Sequence, residues 1–136
     1  RLGTDFAEVA RQMNTFIDEQ QQLWHIDNAH TYLMGFSQGA MISIYTALTR
    51  KEKLAGCIPV AGIIPGQSLL EKSIISKPRF LLLHGQDDAT VQYKTLPTTI
   101  DWFKSHHLDF EVHEFAGLAH RMNEAEIQTA AEFINR

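Results

Sequence analysis

Met34-Gly35-Phe36-Ser37-Gln38-Gly39-Ala40 reads MGFSQGA and sets one serine between two glycines. The residues leading into it, HTYLMG from His30, are short, apolar and aromatic and are bounded by turn residues, so they read as a buried strand. From Gln38 to Arg50, apolar side chains return at Met41, Ile44, Tyr45 and Leu48, the spacing of a helix. A serine at a tight strand-to-helix turn is held in a strained conformation with its hydroxyl clear of the backbone. Such a turn is expected to exclude side chains two residues before and two residues after the serine, which Gly35 and Gly39 satisfy. The turn also opens a helix. The Gln38 N–H and the positive end of the helix dipole therefore face any negative charge that develops beside Ser37.

Gly-x-Ser-x-Gly alone arises by chance in about one chain in twenty of this length. The partners that a serine needs decide the matter, because its hydroxyl is a weak nucleophile until a base takes the proton. In an open sheet of parallel strands, cooperating groups lie beyond the carboxyl ends of the strands. One apolar run, RFLLLH from Arg79, leads into Gly85-Gln86-Asp87-Asp88, and FEVHEF from Phe110 leads into Ala116-Gly117-Leu118-Ala119-His120. His120 can take the Ser37 proton while an aspartate orients the imidazole. Asp87 and Asp88 compete for that place, and spacing does not separate them. Among the other histidines, His25 and His30 flank a turn, His106 and His107 end a helix, and His113 lies within a strand; these read as surface or packing groups. His84 precedes the acidic loop and reads as a structural hydrogen-bonding group at a strand end.

The rest of the chain alternates helix and strand. Asp5 with Glu8 has the form of a capping box, followed by Phe6, Val9, Ala10, Met13, Phe16 and Ile17 at helical spacing. Arg50, Lys51 and Lys53 gather where the dipole of the second helix favours cations. CIPVAG from Cys57 is a further strand, and Ile63 to Ser76, with Pro65, Gly66 and Ser68, reads as a loop with one helical turn. Tyr93, Leu96, Ile100 and Phe103 form another helical stripe, whose regular part Pro97 delays to Thr95 or Leu96. FEVHEF alternates as a strand nearer the sheet edge does. Asn123 with Glu126 repeats the capping box, and Ile127, Ala130, Ala131 and Ile134 form the expected inner face of a last helix. Strands joined by helical crossovers run parallel and are covered on both faces, so the reading is one α/β domain over residues 1–136 with about four strands.

Composition narrows the function. With 136 residues, 44% hydrophobic and 21% charged, the chain can bury a sizeable core. Its net charge of -4 and scattered lysines and arginines offer no basic face, so nucleic acid is not an expected partner. No apolar run is long enough for a transmembrane segment, and a soluble, cytoplasmic protein is expected. Cys57 stands alone in an apolar run and reads as a small core residue. A serine, histidine and aspartate together call for no metal and no cofactor.

GFSQGA resembles the serine turn of the phospholipase/carboxylesterase group of α/β-hydrolases, which includes acyl-protein thioesterases and lysophospholipases. HGQDDATV is similar to that group's HG-x-x-D-x-x-V segment, which implies Asp88 rather than Asp87 as the acid. AGLAHRM looks like its histidine loop and implies His120. AGIIP is similar to a loop that borders the group's acyl pocket, which implies Ile63 and Leu118 as substrate-lining residues. The resemblance implies an α/β-hydrolase fold, an open parallel sheet with helices on both faces, of which this chain covers about the C-terminal half. It implies a serine hydrolase that cleaves small-molecule or lipid-like acyl esters or thioesters through an acyl-enzyme, with Ser37, His120 and Asp88 as the triad and the Gln38 N–H in the oxyanion hole. Where the group carries prolines after the aspartate and after the valine, this chain has Ala89 and Gln92. The group's glycine-containing loop that supplies a second oxyanion donor lies upstream of the first helix and has no counterpart in these residues. A sheet without its neighbours exposes apolar edges, which leaves self-association open. Two rival readings share the motifs: another hydrolase on this scaffold, such as a peptidase, and an inactive fragment or interaction module that retains the fold.

Overall fold

Four strands, β1 (Tyr32–Phe36), β2 (Gly56–Val60), β3 (Arg79–Gly85) and β4 (Phe110–Phe115), pair in parallel in the order β1-β2-β3-β4. This is a computed structural model, and it describes residues 5–64 and 67–136. Five helices alternate with the strands: α1 (Phe6–Trp24), α2 (Gln38–Thr49), α3 (Gln67–Ser73), α4 (Leu96–Ser105) and α5 (Glu124–Ile134). The central strands show why the sheet is buried from both sides. Cys57, Phe80 and Leu82 pack with α2, α3 and α4, whereas Ile58, Val60, Leu81 and Leu83 pack with Ala130 and Phe133 of α5. Alternate residues of a strand point to opposite faces, so apolar runs such as CIPV and FLLL supply both layers at once. Cys57 is one of these core residues, and burial pushes its thiol up to about 12.

Several sequence expectations shift. β1 lies at the edge of the described sheet and is half-buried, with Met34 exposed, because β2 is its only partner among the described residues. β4 is the opposite edge, as its alternation suggested. The segment read as a loop with one turn contains the seven-residue α3, pinned by the fully buried Leu70. Pro65 and Gly66 lie outside the described residues. Phe16 of the proposed α1 stripe is exposed, while Ala10 and Ile17 are buried. The α5 face is rotated from the expected one: Glu126, Ala130 and Phe133 face inward, and Ile127 and Ile134 are exposed. Arg50 does more than complement a dipole. Its buried guanidinium hydrogen-bonds Asn14 at 3.0 Å, Asp18 at 2.7 Å and Asn28 at 2.9 Å, tying α1 to the end of α2.

The turn between β1 and α2 positions the serine. Ser37 has φ 58° and ψ -117°, in the positive-φ half of backbone space that non-glycine residues rarely occupy. Its N–H donates to the Val60 carbonyl at 2.8 Å, and its own carbonyl accepts from Ala40 at 3.0 Å and Met41 at 3.2 Å. These bonds hold the strained residue between strand and helix. A Cβ on Gly35 would stand 2.1 Å from the Gly39 carbonyl oxygen, so no side chain fits there. Gly39 is a correction. A Cβ at that position meets nothing within 4 Å, because the carbonyl of Gly39, not its Cα, makes the close approach. Gly35→Ala is therefore expected to cost about 3 kcal/mol in urea denaturation. Gly39→Ala is expected to be neutral or to stabilise by up to about 1 kcal/mol through helix propensity; equal losses at both positions would contradict this account of the turn.

Candidate active site

Beyond the carboxyl ends of β1, β3 and β4, three loops converge. After β3 the chain turns at once, and the Asp88 Oδ1 accepts the N–H groups of Thr90 at 2.9 Å and Val91 at 2.8 Å. An aspartate that folds its side chain onto the next two or three amides builds such a turn locally. His84, buried at the end of β3, braces it from below by donating Nε2–H to the Val91 carbonyl at 2.7 Å. The reading of His84 as a structural hydrogen-bonding group thus has its partner. Gly85 lets the β4–α5 loop come close, since a Cβ there would lie 2.2 Å from the Leu118 carbonyl oxygen. That carbonyl accepts the Asp87 N–H at 3.0 Å, which ties the acidic turn to the loop carrying His120.

His120 joins the other two residues. Its Nδ1 lies 2.7 Å from Asp88 Oδ2, and its Nε2 lies 2.9 Å from Ser37 Oγ. An ionised carboxylate only accepts, so the Asp88 bond assigns the imidazole proton to Nδ1 and leaves Nε2 to accept from the serine hydroxyl. Asp88 is buried and within hydrogen-bond distance of His120, while Asp87 is exposed. Burial pushes the Asp88 carboxyl up, but the hydrogen bonds from His120 and from the Val91 and Thr90 amides outweigh it and hold the carboxyl below its ordinary range. Gln38 is the first residue of α2, so its backbone amide sits at the positive end of that helix beside Ser37.

The two expected lining residues part company. Ile63 is exposed and borders a cavity of about 350 Å³ with Ile64, Lys94, Thr95, Thr98 and Thr99. Leu118 is buried at 2% exposure and is not among the described residues lining that cavity. Two residues escaped the sequence reading. Phe36 lays its ring against the His120 imidazole, with centroids 4.6 Å apart, and Glu126 is fully buried in the first turn of α5, where the Asp88 charge reaches it. Phe36 stood in plain view inside the serine motif, whereas Glu126 was read only as half of a capping box. Among the described residues, no group of three or more His, Cys, Asp or Glu side chains is placed to hold a metal ion. Nor is any described helix long and apolar enough to cross a membrane.

The phospholipase/carboxylesterase family model matches residues 3–136. The chain is 30% identical to acyl-protein thioesterase 1 homolog 1 of Dictyostelium discoideum, covering 100% of this chain and 62% of that protein. It is 27% identical to acyl-protein thioesterase 1 of Candida albicans, covering 96% of this chain and 60% of the relative. The chain thus spans about three fifths of the length of these curated relatives. Among solved structures, the crystal structure of esterase PE8 superposes with a TM-score of 0.85 at 29% identity, covering 99% of this chain and 66% of the other. Arabidopsis thaliana SOBER1 superposes with a TM-score of 0.89 over 96% of this chain and 63% of its own, and at 22% identity it speaks for the fold alone. With the parallel sheet, the serine turn and a family match across nearly all its length, this chain belongs to the phospholipase/carboxylesterase family of α/β-hydrolases.

Proposed function

We propose that the protein is a serine hydrolase that cleaves acyl esters or thioesters through an acyl-enzyme. The observation that carries this reading is the unbroken chain of hydrogen bonds from Asp88 through His120 to Ser37, with links of 2.7 and 2.9 Å. His120 Nε2 takes the Ser37 proton as Oγ attacks the carbonyl carbon, and the carbonyl oxygen gains the negative charge. The Gln38 N–H, at the head of α2, supplies one donor to that oxyanion. His120 then returns the proton to the leaving alcohol or thiol, which departs as the carbonyl re-forms on the acyl-serine. Water, activated by the same imidazole, releases the acid and restores Ser37. Asp88 stays ionised throughout, holding the tautomer and offsetting the imidazolium charge.

Family membership and the site support the proposed substrate class. The relatives are named as thioesterases and as esterases, which supports a small or lipid-like acyl group. Ile63 is proposed to contact that group at the rim of its cavity, and Leu118 to set the packing beneath the histidine loop. A cytoplasmic location belongs to the same proposal, tested by cell fractionation.

Turnover of p-nitrophenyl esters by the full-length protein tests the assignment. Asp88→Asn is expected to lower kcat about 10⁴-fold, since it presents the wrong tautomer to Ser37, while the exposed Asp87→Asn is expected to leave the rate within about twofold. The reverse ranking would move the acid to Asp87, and no turnover in any form would favour an inactive interaction module. Acidification is a second test. His120 must be neutral to accept the proton, so kcat/KM is expected to fall once it is protonated, and a flat profile would contradict a histidine base. Because the folded Asp88 carboxyl lies below its ordinary 3.8, its stabilising contribution is present above that pH and is lost as pH falls through the folded value. Asp88→Asn is expected to remove that part of the acid instability, read as the pH dependence of the denaturation midpoint.

A further inference from the structure

Glu126, in the first turn of α5, is 0% exposed, and among the described residues neither of its carboxyl oxygens has a hydrogen-bond partner. Its N–H donates to the Asn123 side chain at 2.9 Å, which is one half of a capping box. The other half, from the carboxyl back to the Asn123 N–H, is not made. That amide acts on the carboxyl only from outside hydrogen-bonding geometry. A capping glutamate normally keeps its charge in water, but this one turns into the protein. Burying an ionised carboxylate without donors costs several kcal/mol, and a group so placed binds a proton instead.

The surroundings push in the same direction. Burial, the largest influence, raises the Glu126 carboxyl; the Asn123 amide lowers it; the negative charge of Asp88, from the turn after β3, raises it again, and the balance is upward. Asp88 in turn meets His120 of the β4–α5 loop at 2.7 Å and His84 of β3 at 3.9 Å. On α5 itself, Glu124 is exposed. Arg79 of β3 and Arg136 lie over Phe133, and Tyr32 of β1 bonds the Ile134 carbonyl, all at the far end of the helix. No described cation therefore neutralises Glu126 in place.

Resting on the hydrolase reading above, we propose that Glu126 is a positioning residue of the active site: a buried neutral acid at the start of the helix that follows the His120 loop, which leaves Asp88 as the single negative charge His120 feels. Ionised, Glu126 would add a second negative charge within electrostatic reach of Asp88. Like charges in a buried site raise each other's proton affinity, and the imidazole would hold its proton too tightly to serve as a base. The proton on Glu126 prevents this.

Glu126→Gln keeps the shape, the capping N–H and the neutrality, so it separates this role from a merely structural one. In the full-length protein its kcat is expected to stay within about twofold of wild type and its acid limb of kcat/KM to superimpose on the wild-type limb. A carboxyl whose folded value is raised stabilises at low pH and loses that contribution as pH rises through the folded value, so wild type is expected to lose stability and rate on alkalinisation where Glu126→Gln does not. Glu126→Ala, which removes a fully buried side chain, is expected to lower kcat about tenfold with KM unchanged. An acid limb displaced by about half a pH unit or more in Glu126→Gln would reveal a charge on Glu126 and overturn the proposal. Infrared difference spectra of Ser37→Ala with and without Glu126→Gln make the test independent of turnover. A protonated-carboxyl stretch at the pH of activity, lost with Glu126, is expected, and its absence overturns the proposal. If the band is present but no form hydrolyses an ester, the hydrolase reading fails and the positioning role falls with it.

Discussion

The imidazole of His120 is the point on which the site depends. It bonds Ser37, 83 positions away in sequence, and Asp88, 32 positions away, at 2.9 and 2.7 Å. Neither contact is local, so neither exists until the sheet is assembled. Parallel pairing in sequence order delivers the ends of β1, β3 and β4 to one rim, and the loops there need to move each side chain only a short distance. The ring is held from a third side by Phe36, the residue just before the serine. A single segment thus presents the nucleophile and one wall of the base's pocket.

Strain at Ser37 is maintained by bonds that reach into the core. Its amide is fixed to Val60 at the end of the fully buried β2, and its carbonyl starts α2, whose buried side chains pack on the same strands. Relaxing φ at this residue would break the Val60 bond and move the head of the helix together. The Asp88 turn has the same character. Its carboxylate orders its own loop through Thr90 and Val91 with one oxygen and orients His120 with the other, while His84 fastens the loop to β3. Three hydrogen bonds thus order the loop that carries Ala89 and Gln92.

Much of this was legible in the sequence, for identifiable reasons. Buried parallel strands are continuous apolar runs, and PRFLLLHG and CIPVAG could scarcely be anything else. The serine turn combined two periodicities with a glycine whose need is steric. What misled was composition read without position. TYLM looked like an interior strand, yet β1 is an edge of the sheet formed by the described residues, with Met34 exposed. On α5 the apolar residues Ile127 and Ile134 suggested one face, while the helix buries the adjacent one and takes Glu126 inside. A capping box fixes where a helix starts but not which way its third residue turns. Spacing likewise could not choose between Asp87 and Asp88, because both belong to one turn and only its conformation points one of them inward.

Activation of Ser37 through His120 is the central chemical claim. Incubating the full-length protein with a fluorophosphonate and mapping the adduct by peptide mass spectrometry addresses this directly, since the reagent phosphonylates a serine only when its proton is removed. One adduct per chain at Ser37, abolished by His120→Ala with the fold intact, is the expected result. No adduct, an adduct at another residue, or undiminished labelling without His120 would contradict the account.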